Sequence, residues 1–307
     1  MQGLLEYYVK SMLFLLKCKT LIMSISAFVV RHEIAIRLGF FFGILVVMAL
    51  WELAAPRRGL IASKVFRWIN NLAVVFLNSF LLRLIFPTAT VGVAVFVQGH
   101  RCGLFNHFRL PYWIAVVLSV VAMDFFIYLQ HVMFHAIPVF WRIHRMHHAD
   151  LDFDVTTGIR FHPIEIILSL LIKFAIVVML GPPVAAVIMF EVILNATSMF
   201  NHGNVRMPLM IDRALRRFIV TPDMHRVHHS VEDYETNTNF GFNLPWWDCL
   251  LGTYRDQPRM GHKDMTIGLR DFRDTKRCMM LHGMLAIPFI GKITDYTIAR
   301  RTWGKGQ

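Results

Sequence analysis

The chain has 307 residues, 56% of them hydrophobic and only 17% charged, with a mean hydropathy of +0.50. Soluble domains carry about 25% charged residues, so this composition leaves too little polar surface to cover a soluble fold and points to a membrane protein. The 32 Lys+Arg against 20 Asp+Glu give a net charge of +12, which on a membrane chain is read as cytoplasmic-side retention and attraction to anionic lipid, with no need for nucleic acid.

The N-terminal residues 1–30 are apolar but interrupted by Lys17 and Lys19, with no clear cleavage site. They are expected to form an interfacial or first membrane helix and not a removed leader. Residues 38–53 form an apolar run flanked by Arg37 and by Pro56-Arg57-Arg58, short for a span unless its flanks snorkel. Residues 72–97 are longer, carry Arg83 and Pro87, and are expected to span with a kink. Residues 112–134 are about one bilayer thick. Residues 164–180 and 184–200 flank Gly181-Pro182-Pro183 and predict a helical hairpin with its turn at the far membrane face.

Basic clusters follow the first run (Arg57, Arg58, Lys64, Arg67), the 112–134 span (Arg142, Arg145, Arg160) and the hairpin (Arg213, Arg216, Arg217, Arg226). Counting crossings puts all three on one face, which the positive-inside bias makes cytoplasmic. Arg101 and Arg109 oppose this from the small loop 98–111. Segments 135–163 and 201–307 are then expected to form a cytosolic cap on an all-α, polytopic bundle of four to five spans.

The cysteines Cys18, Cys102, Cys249 and Cys278 lie far apart, and no CxxC occurs, which argues against thiolate metal sites, thioredoxin-like chemistry and a disulfide framework. No glycine-rich phosphate loop is present either. The histidines are different. Ten of the 15 lie between residues 131 and 229. His131 and His135 form an HxxxH; His144, His147 and His148 form an HxxHH; His225, His228 and His229 repeat that spacing. Residues three and four apart share a helix face, and imidazole is the commonest neutral metal ligand. Eight such side chains near span ends are more than packing requires, since ionisable groups at membrane depth are functional by default. His202 and His162 are the ninth and tenth candidate ligands, although His202 could instead end a helix and His162 could orient the site or start the helix that Pro163 opens.

All-imidazole ligation suits iron, zinc, copper or nickel. A zinc hydrolase uses about three ligands and a carboxylate base, and HExxH is absent. The supply of histidines suits a pair of irons, although spacing alone does not select iron. Asp124 and Tyr128 share a helix face with His131 and His135, so Asp124 could orient an imidazole. Glu165 and Asp248 are further candidates for that supporting role. Asp150, Asp152 and Asp154 are given no role, and Trp246, Trp247 and Tyr254 are expected to be interface anchors.

The ordered set His131-xxx-His135, Trp141-Arg142-xx-His144-xx-His147-His148, Thr157-Gly158-Ile159-Arg160-Phe161-His162-Pro163-Ile164-Glu165, His202-Gly203-Asn204, Thr221-Pro222-xx-His225-xx-His228-His229 and Asn239-Phe240-Gly241 with Trp247 to Tyr254 resembles the fatty acid hydroxylase/sterol desaturase superfamily of membrane-bound di-iron oxygenases. The resemblance spans residues 70–256, as a catalytic domain between an N-terminal region (1–69) and a tail (257–307). It implies two Fe ions, O2 as co-substrate, and hydroxylation or desaturation of a C–H bond in a sterol, fatty acyl or ether lipid. No HPGG haem signature is present, so electrons are expected from a separate cytochrome b5-, ferredoxin- or reductase-type donor. A histidine-rich metal transporter and a non-catalytic lipid-interacting homologue are the alternatives. Ligands at one membrane face count against the first, and a complete set of core histidines against the second.

Overall fold

Leucine-, valine- and phenylalanine-rich runs of 18 residues or more have one low-energy solution in lipid, the helix, because it satisfies every backbone polar group within itself. The computed structural model, which describes residues 20, 21, 23–87, 89–108, 110–292 and 296–298, follows that rule. The described residues are helical with no named strand; pairing is limited to isolated bridges such as Pro56 with Val205. The reading of residues 1–30 as a membrane or interfacial helix falls largely on residues 1–19 and 22, outside the described set.

The first long helix, α1, runs Glu33–Ala54, six residues longer than the apolar run. Its extra turn is tolerable in an apolar setting because Arg37 pairs with Glu33 on the same helix and with Glu191 on another. Next comes α2, Lys64–Ile85, capped by Ser63, whose side chain accepts from the Phe66 N–H. The kinked span expected over 72–97 is a broken one: α2 ends at Ile85 and a separate α3, Ala89–Gly99, resumes after Pro87, with Ala89 at φ 47°. Proline cannot continue the hydrogen-bond ladder and also disfavours helical geometry in the residue before it. Irregular backbone at this depth is tolerated only where protein or a cavity surrounds it.

The remaining long helices are α4 (Tyr112–Ala136), α6 (Pro163–Leu180) and α7 (Val184–Asn201), with the amphipathic α5 (Pro138–His148) between α4 and α6. The hairpin between α6 and α7 turns on Gly181, at φ 63°, a left-handed conformation that costs glycine little. A Cβ at Gly181 would also strike the Cys102 carbonyl, and one at Gly103 would strike Gly181. These two glycines let the loop after α3 close over the far end of the hairpin.

Among the described residues, five helical segments are long and apolar enough to cross a membrane: α1, the broken α2–α3 unit, α4, α6 and α7. At about 1.5 Å per residue, even the 18-residue α6 reaches roughly 27 Å, close to one hydrocarbon thickness. Of these, α7 is the centre of the bundle, with 61% of its apolar window buried against 11% for α1. Its small Ala185 and Ala186 allow close approach. Val187, Ile188 and Phe190 pack with Ala94 of α3, Met123 and Ile127 of α4 and Ile176 and Val177 of α6. Outward-facing Phe40, Val47 and Leu50 of α1 and Phe76 and Phe80 of α2 are exposed, as lipid-facing residues are.

On one end of the bundle sits a cap built from α5, the loop 149–162, the short helices α8 (Leu209–Leu215), α9 (Pro222–His228) and α10 (Trp246–Leu251), and the segments that follow. The loop is held from inside. Arg67 of α2 ion-pairs with Asp150 and Asp154 and donates to Thr157; Asp152 accepts from the Ile61 and Ala62 N–H groups; Arg160 lies 3.6 Å from Asp150. Asp150, Asp152 and Asp154 were given no role from the sequence beyond capping or solvent. They are all buried. Burial alone opposes ionisation of Asp150, but the Arg67 and Arg160 guanidiniums outweigh it and hold the carboxyl down to about 2.

Candidate metal centre

Three segments bring the histidines together. The last two turns of α4 carry His131 and His135, α5 ends on the first HxxHH, and α9 runs into the second, started by the Thr221 cap and Pro222 at its first turn. His202 arrives from the C-terminal end of α7. The ring nitrogens fall into two groups. His131, His135, His144, His148 and His228 form one; His147, His202, His225 and His229 form the other. Within each group the nitrogens lie within 4.8 Å of one another, and all nine residues are buried.

The grouping cuts across the motifs. In each HxxHH the i, i+4 pair stays together (His144 with His148, His225 with His229), while the i+3 residue crosses to the opposite group: His147 joins the α9 pair and His228 joins the α5 pair. Helical spacing alone places all three on one side. Only the packing of α5 against α9 divides that side between two centres.

What aims six of the nine imidazoles is the second nitrogen, whereas the Nδ1 atoms of His225 and His229 are buried without a partner. The Nδ1 of His131 donates to the Phe240 carbonyl (2.7 Å), that of His135 to Asn237 Oδ1 (3.2 Å), that of His144 to Glu165 Oε1 (2.6 Å), and that of His147 to the Arg160 carbonyl (3.2 Å). His202 Nδ1 donates to the Ser198 carbonyl (2.8 Å), and His228 Nδ1 to the Thr238 carbonyl (2.7 Å). Such partners set the tautomer and leave Nε2 with a free lone pair. Those lone pairs then face one another: His135 and His148 Nε2 are 3.1 Å apart, His148 and His144 3.2 Å, His202 and His147 3.2 Å, and His202 and His229 3.1 Å. The Nε2 atoms of His131 and His228 are buried with no hydrogen-bond partner. Buried lone pairs turned toward each other are costly unless a cation lies between them. Burial first, then the surrounding imidazoles, push His147, His148, His225 and His229 well below the usual histidine range, which keeps them neutral, the form that binds metal. The donor set therefore fits a pair of borderline transition-metal ions and offers no thiolate.

Of the expected ligands, His162 stands apart from both groups. It caps α6: its Nδ1 accepts from the Ile164 N–H and its Nε2 faces the Leu285 carbonyl. The Pro163 that follows starts the helix, and a side chain spent on that cap cannot also reach the centre. The three carboxylates also divide. Glu165 touches a member of the cluster, His144. Asp248 acts at one remove: it accepts from the Phe240 and Gly241 N–H groups and from Thr253, and so shapes the turn whose carbonyl holds His131. Asp124 reaches no imidazole. It accepts from Trp247 Nε1 (2.8 Å) and the Leu244 N–H, tying the 240–248 segment to α4. Trp247, expected at the lipid interface, is spent on that tie. Asn237 and the carbonyls of Arg160, Thr238 and Phe240 were not singled out from the sequence, because a backbone carbonyl carries no residue signal.

A family model, fatty acid hydroxylase, matches residues 116–253, the stretch that carries all nine converging histidines. That stretch, a little under half of the chain, is a fatty acid hydroxylase domain. The chain is similar to the ornithine lipid hydroxylase OlsE of Rhizobium tropici, at 31% identity over 59% of this chain and 54% of that protein. It is also similar to the human alkylglycerol monooxygenase, at 25% over 59% of this chain and 39% of that one, and to the fatty acid hydroxylase vlmA of Lecanicillium sp, at 27% over 58% and 50%. The chain thus spans about half or less of the length of these relatives. No solved structure matches it. The five apolar helices among the described residues are those of a multi-pass membrane protein. The matched domain omits α1 and α2, so the Arg67 anchor of the cap comes from outside it.

Proposed function

We propose that this chain is an O2-dependent oxidoreductase that hydroxylates a C–H bond of a membrane lipid, with desaturation as the variant outcome of the same site. The observation that carries the reading is the division of nine buried histidines into groups of five and four with their lone pairs convergent. The names of the similar proteins, lipid hydroxylases and monooxygenases, agree with it. The metals proposed are two irons, which when bound would supply dioxygen activation and oxidation of an unactivated C–H bond. Hydroxylation consumes one O2, two electrons and two protons and releases one water, so a separate electron-donor protein is required.

The residues divide the work. His131, His135, His144, His148 and His228 would hold one metal and His147, His202, His225 and His229 the other, with Glu165 and Asn237 fixing two of the rings. A cavity of about 720 Å³ reaches the centre from within the bundle, touching His131, His144 and Glu165. That volume lies in the range of ligand sites. Its wall includes Ile127, Phe134, Ile159 and Leu170, apolar side chains that would hold a lipid in place and exclude water. The proposed domain limits remain 70–256 for the catalytic unit, although Glu52 of α1 accepts from the Val155 and Asn204 N–H groups and serves the same cap.

The test is lipid mass spectrometry on membranes containing the active protein, an electron-donor system and 18O2, with iron measured on the purified protein. The expected result is a lipid heavier by one labelled oxygen and about two irons per chain; loss of two hydrogens would instead mark desaturation. No lipid change together with no bound iron would sink the reading. The cap is proposed to face the cytoplasm. A cysteine at exposed Arg217, with the native cysteines replaced by serine, is then expected to react with an impermeant thiol reagent only when the cytoplasmic side is open. Labelling from the other side would reverse the orientation.

A further inference from the structure

The cavity that starts at the histidines ends in a charged cluster. Along α6, Glu165 contacts His144 and Lys173 lies eight residues on, about 12 Å deeper at 1.5 Å per residue. There the cavity is bounded by Glu33 and Arg37 of α1, Arg83 of α2, Lys173 of α6 and Glu191 of α7. Glu191 is fully engaged: Arg37 and Lys173 pair with it and Thr90 donates to it. Glu33 is engaged by Arg37. Of the three cations that line the cavity, Arg37 and Lys173 are paired with carboxylates, and the one left over is Arg83. Its guanidinium is exposed and has neither hydrogen-bond nor ion-pair partner among the described residues.

Charges within spans are retained where they pair or serve a ligand. Arg83 stands in an apolar run, two residues before the break between α2 and α3, where Phe86, Pro87 and Ala89 also border the cavity. Leu45 and Met48 of α1 share a core cluster with Trp68 and Leu72 of α2, and the N-terminal half of α1 and the C-terminal half of α2 line the cavity. A guanidinium in that position presents several donors to a planar or tetrahedral anion.

We propose that Arg83 binds the anionic group, a carboxylate or a phosphate, of the lipid that occupies the cavity. This rests on the reading above only in taking the cavity as the lipid site.

The experiment measures equilibrium binding of hexadecanoate, hexadecyl phosphate and hexadecanol to the full-length protein in a non-ionic detergent, without turnover. These probes share a chain and differ in the head. One or both anions are expected to bind about tenfold more tightly than the alcohol, and which one does so separates carboxylate from phosphate. Arg83→Gln removes that preference and Arg83→Lys keeps most of it, while the metal content of both matches the parent protein. Equal binding of all three probes by the parent chain overturns the proposal without recourse to any variant, and so does an undiminished anion preference in Arg83→Gln. A protein that prefers the anions but oxidises no lipid keeps this site and loses the oxygenase reading. A protein that oxidises a neutral lipid and shows no anion preference does the reverse.

Discussion

His147→Ala is expected to lower bound iron from about two equivalents to about one and to reduce lipid oxidation by more than about 100-fold, since changes one step further out already cost 10–100-fold. His147 is one of four nitrogens in the smaller group, its Nε2 3.2 Å from that of His202. Losing a quarter of that set leaves three donors, one of them, His202, still aimed at the gap. His228→Ala removes one of five, so the same activity loss is expected with less iron lost. Glu165→Gln, which keeps the shape but weakens the hold on His144 Nδ1, falls in the 10–100-fold range. Metal analysis and oxidation measured on the same preparations check the series. Full metal and full activity in both alanine variants would remove the ligand assignment.

Arg67→Met is expected to cost about 3–5 kcal/mol, the usual price of leaving buried carboxylates without their cation. Arg67, Asp150 and Asp154 have no exposed side-chain surface, and Arg67 also bonds Thr157. Asp150 retains Arg160 at 3.6 Å and the neutral donors Thr157 Oγ1 and the Asp152 N–H, and Asp154 retains local donors from Thr156. The loop they hold carries the Arg160 carbonyl that aims His147 and leads to the His162 cap. A thermal melt in detergent is therefore expected to fall by roughly 10 °C, with metal lost from the four-histidine group first. Arg67→Lys, which keeps the charge but not the forked geometry, belongs between the two. A melt unchanged in Arg67→Met would show that α2 does not anchor the cap.

The spans were legible because hydropathy is a one-dimensional property. The runs over 112–134, 164–180 and 184–200 became Tyr112–Ala136, Pro163–Leu180 and Val184–Asn201. The break at Pro87 was visible as a kink, but whether a chain bends or restarts depends on what surrounds the freed backbone. The acidic triplet 150–154 was unreadable for a similar reason. Its counter-ion, Arg67, lies 83 residues upstream of Asp150, and nothing in the local pattern names that partner. For His162 the sequence left both readings open, because histidine before proline serves equally well as a helix cap and as a ligand, and the structure shows the cap.

By itself the sequence determined the chemistry available: nine of ten histidines drawn from HxxxH, two HxxHH motifs and His202 do converge, because 3.6-residue periodicity and membrane anchoring leave those side chains few directions to point. Tertiary structure alone decided how they are shared. The exchange of His147 and His228 between groups depends on α5 and α9 meeting face to face across the end of α7. The direction of six of the lone pairs depends on carbonyls, an amide and a carboxylate up to 109 residues away. A ring has two nitrogens, and it is the partner of one that assigns the other.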